Sequence, residues 1–219
     1  MIKQVTYFEK KTGLGSDAFF EYWLNTHPEV VCKLRGITRY VQNHIYSYEN
    51  NVPQVHGIAE VWFENISAMR SNKDSPELAA IREDEENFIH TKTMGTIITD
   101  EHEIKTPTYN DGPKLVGLIN RHPDISVETF RDKWFSDLGP DVSKIDNIIG
   151  YTQAPTRPGI YKSGRVPDYD GIANLWFKSD TSRHEALTST AMQTIQKKEV
   201  KLIDFSRSKL FWVRPITIV

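Results

Sequence analysis

Cysteine is nearly missing from this chain: 219 residues contain a single one, Cys32. One thiol cannot close an internal disulfide, so the fold has to be held by a packed core, and a reducing, cytoplasmic address is expected. Cys32 itself is expected to be a small buried residue near the end of a helix. Long apolar runs are lacking too. None approaches the ~20 residues of a membrane-spanning helix, and the opening "MIKQVTYFEKKTG" has no extended apolar core of the signal-peptide kind. There is no basic run. The one dense charge cluster, Glu83-Asp84-Glu85-Glu86, is acidic, so neither a nucleic acid nor an anionic membrane is an expected partner. No glycine-rich loop suggests a nucleotide, and the seven histidines include no His-x-x-x-His pair. The stretch "DEHE" at 100–103 falls in a predicted strand. No metal and no cofactor are therefore expected.

What the chain does have is large apolar side chains: 38% of it is hydrophobic, with five Trp, nine Tyr and ten Phe. That suffices for a sizeable core in one medium or two small domains. The formal charge of −2 divides unevenly, −5 over residues 1–110 and +3 over the rest.

The chain also repeats itself. "VPQVHGIAEVWFE" at 52–64 returns as "VPDYDGIANLWFK" at 166–178, an offset of 114, and five of the seven positions from glycine to phenylalanine are identical. Upstream the offset is 111, which lays Phe19, Trp23, Lys33 and Tyr40 over Phe130, Trp134, Lys144 and Tyr151; three residues were gained around 155–165. Downstream, Leu78, Ile81 and Glu85 fall on Met192, Ile195 and Glu199. Self-similarity of this extent marks a duplicated domain, 1–105 and 113–219, with a turn-rich linker near "IKTPTYNDGPK".

Within each copy the hydrophobic period changes in one order. "KQVTYFE" and "KLVGLIN" are short strands. Ser16 to Leu34 carries Phe19, Trp23, His27, Val30, Val31 and Leu34 at helical spacing, with Ser16 or Asp17 as the cap. "ITRYVQNHIYS" and "GIAEVWFE" alternate as strands across a polar loop. "SPELAAIREDEENFI" returns to helical spacing, with Ser75 as N-cap and Pro76 at the first helical position. "TMGTIITDEHEI" and "SKLFWVRPITIV" close the copies as strands. Strand, helix, strand, strand, helix, strand is the ferredoxin-like order, with both helices on one face of an antiparallel sheet. In "GIAEVWF" both parities are apolar, so the uncovered face needs a cover as well, and the second copy supplies a second sheet. The expected class is α+β: two tandem ferredoxin-like (βαββαβ) domains pairing sheet to sheet as an intrachain α+β barrel.

"FFEYWLNTHPEVV", "ITRYVQNH" and "GIAEVWFE", in this order and found twice, resemble the EthD family of the dimeric α+β barrel superfamily over about 90 residues in each half. The resemblance implies the fold strongly and a reaction loosely, because related barrels include muconolactone isomerases, polyketide cyclases and cofactor-independent monooxygenases. The family's His-Gly-Pro stands here as His27-Pro28-Glu29 in the first half and Leu138-Gly139-Pro140 in the second.

His27 falls on the stripe that faces the sheet. A neutral imidazole in an apolar pocket can take a proton from carbon next to a carbonyl or lactone; the plain alternative is a core histidine bonded to a backbone carbonyl. Leu138 at the equivalent position shows that the fold does not require the ring. The expectation is therefore an active first domain and a degenerate second one, structural and filled by leucine. Glu60, on the face of its strand shared with His56, Ile58 and Trp62, is expected either to assist His27 or to sit in a salt bridge across the domain interface. His56 is the third catalytic candidate, or an exposed strand start. Tyr40 and His44 on the second strand, with Trp23, Trp62 and Phe88, are expected to bind substrate, or else to be aromatic core. Glu85 and Glu199, kept in both copies, are read as structural.

The function expected is cofactor-independent proton transfer of isomerase, cyclase or lyase type. Its substrate would be a small apolar carbonyl, lactone or aromatic metabolite, with His27 as acid or base. The alternatives are a non-catalytic binder of a hydrophobic molecule and a haem-binding barrel protein, since haem enzymes also use paired ferredoxin-like units. A homodimer of the two-domain chain is compatible with this reading.

Overall fold

The computed structural model describes residues 1–46, 55–108 and 112–219. The polar loop expected between the second and third strands, and the centre of the linker, lie outside these residues. The chain divides into two compact units, one of Met1–Ile98 with Pro215–Val219, the other Thr99–Arg214.

The first unit runs β1 (Ile2–Phe8), α1 (Ser16–Asn25), α2 (Pro28–Val31), β2 (Ile37–Ile45), β3 (Gly57–Phe63), α3 (Ile66–Ser71), α4 (Pro76–Phe88) and β4 (Gly95–Asp100). Its strand order is β4-β1-β3-β2, with β3 antiparallel to both β1 and β2, which is the ferredoxin-like arrangement. The tail pairs back onto the edge: the Ile218 N–H donates to the Tyr40 carbonyl, and the Tyr40 N–H to the Val219 carbonyl, both at 2.8 Å.

Local chemistry accounts for the helices. Pro76 sits at the first position of α4, and the Ser75 hydroxyl accepts from the Leu78 N–H at 3.1 Å, as the sequence predicts. The cap of α1 differs. Gly15 occupies that place with no side-chain bond, so Ser16 and Asp17 lie in the first turn. The continuous first helix expected from 16 to 34 is broken after Asn25. Pro28 has no N–H to offer the preceding turn, and the His27 N–H reaches back five residues to the Tyr22 carbonyl at 3.1 Å. His27 thus sits at a kink, at the N-cap of α2.

The second unit runs β5 (His102–Lys105), β6 (Lys114–Ile119), α5 (Val127–Lys133), a π-helical turn (Trp134–Leu138), α6 (Gly139–Ser143), β7 (Ile148–Pro155), α7 (Pro158–Lys162), β8 (Gly171–Phe177), α8 (Asp180–Thr188), α9 (Thr190–Glu199) and β9 (Lys209–Thr217). Its strand order is β9-β6-β8-β7-β5. The segment 93–104, read from sequence as one strand, is two. β4 ends at Asp100, its last two residues already grouped with the second unit, and β5 pairs antiparallel with β7 inside that unit.

One equivalence shows why the repeated glycine survives in both copies. A Cβ on Gly57 would lie 2.6 Å from the Trp23 ring, and one on Gly171 2.7 Å from the Trp134 ring. Each tryptophan lies against the start of a strand where only a hydrogen fits. The two rings, 0% and 1% exposed, anchor their respective cores.

Candidate functional site

Alternate residues of β3, Ala59, Val61 and Phe63, form part of the sheet wall of a cavity of about 270 Å³ in the first unit. His27 and Val31 approach from the kinked helix, and Ile81, Arg82 and Glu85 from α4. The cavity is where the periodicity would put one, between helices and sheet.

His27, 5% exposed, gives its Nδ1 to the Asp84 carboxylate: the separation from Oδ2 is 2.6 Å. The other carboxylate oxygen accepts from the Tyr22 hydroxyl at 2.6 Å, and Asn87 Nδ2 donates to that hydroxyl at 3.1 Å. Burial lowers the His27 pKa, and this outweighs the upward pull of Asp84. The ring is then neutral near pH 7, with its proton on Nδ1 facing the carboxylate and the Nε2 lone pair available. Nε2 makes no hydrogen bond among the described residues. The Phe88 ring, 4.9 Å from the imidazole between centroids, fixes its remaining side.

Glu85 is the second ionisable group on the wall. Burial raises its pKa to about 7, against a smaller downward pull from Arg82. The Tyr40 hydroxyl accepts from both Trp23 Nε1 and Gln42 Nε2, each at 3.1 Å, and Gln42 Nε2 also donates to the Trp23 carbonyl at 2.6 Å. With its acceptor capacity taken, that hydroxyl has only its own proton to offer a ligand.

The raised Glu85 carries a stability prediction. Between the ordinary carboxylate value of 4.5 and about 7, the folded chain holds a proton that the unfolded chain releases. The contribution is fully present below 4.5 and is lost as pH rises through about 7. Glu85→Gln is therefore expected to stabilise the protein at pH 8 by roughly 1–2 kcal/mol, with no gain at pH 4, measured by urea denaturation at both pH values.

Of the other candidates read from sequence, only Tyr40 joins His27 on this wall. Glu60 and Trp62 lie on the opposite face of β3. Glu60 is 0% exposed and accepts from Lys3 Nζ at 2.8 Å and from Asn43 Nδ2 at 3.0 Å, so it sits in a salt bridge with a residue of its own unit, on the face away from His27. Trp62 takes cations on its ring, Arg39 at 4.7 Å and Lys3 at 5.1 Å, and does not wall the cavity. His44 is stacked between Phe20 and Trp23, 4.7 Å from each, and is bonded through Nε2 to Gln42 Oε1; burial pushes its pKa down to about 4. His56 precedes β3 and accepts the Lys10 N–H on Nδ1 at 3.4 Å. Trp23 and Phe88 are core, both 0% exposed. Cys32, the C-cap residue of α2, is exposed and not buried as expected.

The expected leucine plug is also corrected. Leu138 is buried, yet the second unit encloses its own cavity of about 380 Å³, larger than the first. The leucine fills the imidazole's place and leaves the hollow beside it open.

Asp84 is the residue that sequence reasoning missed. Among the sequence expectations it figures only as part of the acidic cluster Glu83-Asp84-Glu85-Glu86. The signal was present, since position 84 follows Ile81 by three and precedes Phe88 by four, on the buried stripe of α4.

The family model for the EthD domain matches twice, over residues 11–92 and 122–206. The chain belongs to the EthD family. It carries two EthD domains in tandem, and each match falls on one ferredoxin-like unit. Among solved structures the EthD chain is similar to a Fusobacterium nucleatum protein provisionally called a monooxygenase, with a TM-score of 0.63 and 10% identity over 98% of this chain and 91% of that one. It is also similar to an anthrone oxidase-like protein, with a TM-score of 0.65 and 8% identity over 98% and 91%. A mutant chlorite dismutase from Candidatus Nitrospira defluvii matches with a TM-score of 0.56 and 8% identity over 97% and 91%. At such identities these relationships concern the fold of the EthD chain. No curated protein matches it. Among the described residues no helix is long and apolar enough to cross a membrane.

Proposed function

We propose that the first unit is a cofactor-independent enzyme that moves a proton on carbon next to a carbonyl, in a small and largely apolar molecule held in the 270 Å³ cavity. The carrying observation is the 2.6 Å contact between His27 Nδ1 and Asp84 at the cavity wall. A carboxylate on one ring nitrogen fixes the tautomer that leaves the other as a base, and it stabilises the imidazolium once the proton arrives.

The chemistry balances within the protein. The substrate C–H bond breaks, the proton passes to Nε2, and the electron pair moves onto the carbonyl oxygen as an enolate. The Tyr40 hydroxyl and the protonated fraction of Glu85 are among the donors that the wall offers to that oxygen. Return of the proton to a different atom gives an isomerisation, and expulsion of a β-leaving group gives an elimination. No oxidant is required. Because burial keeps His27 neutral below the ordinary histidine range, activity should persist at mildly acidic pH and fall only as the ring protonates.

The test is exchange of α-hydrogen for deuterium in β-tetralone dissolved in D2O, followed by proton NMR with and without the full chain. Protein-dependent exchange is expected, and Asp84→Asn should slow it on the order of 10²-fold, because an amide can hold the wrong tautomer. Exchange that Asp84→Asn leaves unchanged would remove the dyad from the reaction.

A further inference from the structure

Much of the second cavity's lining corresponds in sequence to the first's. Sheet residues Leu115, Gly117 and Ile119 stand where the first unit has Gln4, Thr6 and Phe8, and Ala173 stands for Ala59. Leu138 replaces His27, and Lys198 replaces Asp84; the Lys198 ammonium turns away to Asp141, 2.6 Å from Oδ2. The dyad is therefore gone from both of its positions at once.

Three polar features remain. Tyr151 lines the cavity as Tyr40 does, Gln196 takes the place of Arg82, and Glu199 that of Glu85. The Tyr151 hydroxyl accepts from Gln153 Nε2 at 2.7 Å, and that amide also donates to the Trp134 carbonyl at 2.8 Å, as in the first unit. No hydrogen bond engages the Glu199 carboxyl among the described residues.

We infer that the second unit is a separate binding site for a neutral, largely apolar ketone, held by its carbonyl oxygen between the Tyr151 hydroxyl and the Glu199 carboxyl at the wall of the 380 Å³ cavity. Tyr151, Glu199 and the Gln196 amide are the few polar groups on an otherwise apolar lining, a set that suits a ligand with one acceptor oxygen. Burial raises the Glu199 pKa to about 7, so that near neutrality a large share of it carries the proton it would donate. A carboxylate ligand would meet a second carboxyl there and bind poorly. Replacement of Gln4 and Thr6 by Leu115 and Gly117 makes this hollow less polar than the first. With neither His27 nor Asp84 represented, it binds without taking a proton. The inference does not rest on the catalytic reading of His27, because it concerns the other cavity.

The experiment titrates the full chain with prodan, a neutral naphthyl ketone whose emission shifts to the blue in apolar surroundings. Two equivalents per chain are expected. Ala173→Leu should abolish one and Ala59→Leu the other, since each pushes a branched side chain into one hollow. Glu199→Leu should weaken the equivalent that Ala173→Leu removes by about tenfold, the loss expected for one buried hydrogen bond, and Glu199→Gln by less. Circular dichroism establishes which variants fold; if Ala173→Leu does not, Glu199→Leu decides alone. A single equivalent lost in Ala59→Leu and untouched by Ala173→Leu and Glu199→Leu would overturn the inference. So would many weak equivalents indifferent to both fills. Tetralone exchange that survives in Ala173→Leu leaves the first-unit enzyme standing whatever the fate of the second site.

Discussion

His27→Ala is expected to lower β-tetralone exchange by about 10²–10⁴-fold, the range that a positioned general base contributes. The fold should tolerate the loss. Asp84 keeps its bond from Tyr22, and its side chain is 14% exposed, so water can reach the oxygen that the ring vacates. The stability cost is expected near 1–2 kcal/mol, chiefly from the lost packing against Phe88. Exchange rates and melting temperatures on the same samples separate the two effects. Imidazole added to the medium provides a sharper readout. It should restore part of the exchange in His27→Ala and none in Asp84→Asn, because only the former leaves a hole of its shape beside a carboxylate. If exchange survives the alanine variant, the base is another group on the wall, and Glu85 becomes the candidate.

Lys3→Met should destabilise the protein by about 3–5 kcal/mol, because it removes a buried charge 2.8 Å from the buried Glu60 carboxylate. Both side chains are 0% exposed and meet at 2.8 Å, so water does not replace the missing charge. Glu60→Leu should cost a similar amount. The double variant should recover much of the loss, since two apolar side chains avoid the desolvation that the ions incur. Urea midpoints of the wild type, the two single variants and the double variant give the coupling energy directly. Losses that simply add would mean that the pair is held by its surroundings and not by each ion's need for the other. The pair lies on the sheet face away from His27, so exchange measured below the melting transition should be unchanged in every variant that folds.

The fold was legible because the chain states it twice. The repeated Gly-Ile-Ala and the paired tryptophans report a steric fact, a ring packed against a strand start, and such facts survive duplication. The site was only half legible. Alternation in "GIAEVWF" assigns Glu60 and Trp62 to one face correctly, but both faces are apolar, so parity alone did not say which one the helices cover. His27 was found because it interrupts a greasy stripe. Asp84 was hidden because a carboxylate in a run of carboxylates looks solvated, although its neighbours at three and four residues do not. The break before Pro28 was written in the sequence as a missing N–H. The second hollow could not be read, because replacing an imidazole by leucine reports on one side chain's place and not on the space beside it.

The return of Pro215–Val219 to the first unit has a bearing on how the protein is made. On the ribosome those residues emerge after the whole of the second unit, so the earlier-synthesised half acquires its edge on β2 last. The half translated first is completed last, and deleting Pro215–Val219 would loosen the half that carries the histidine.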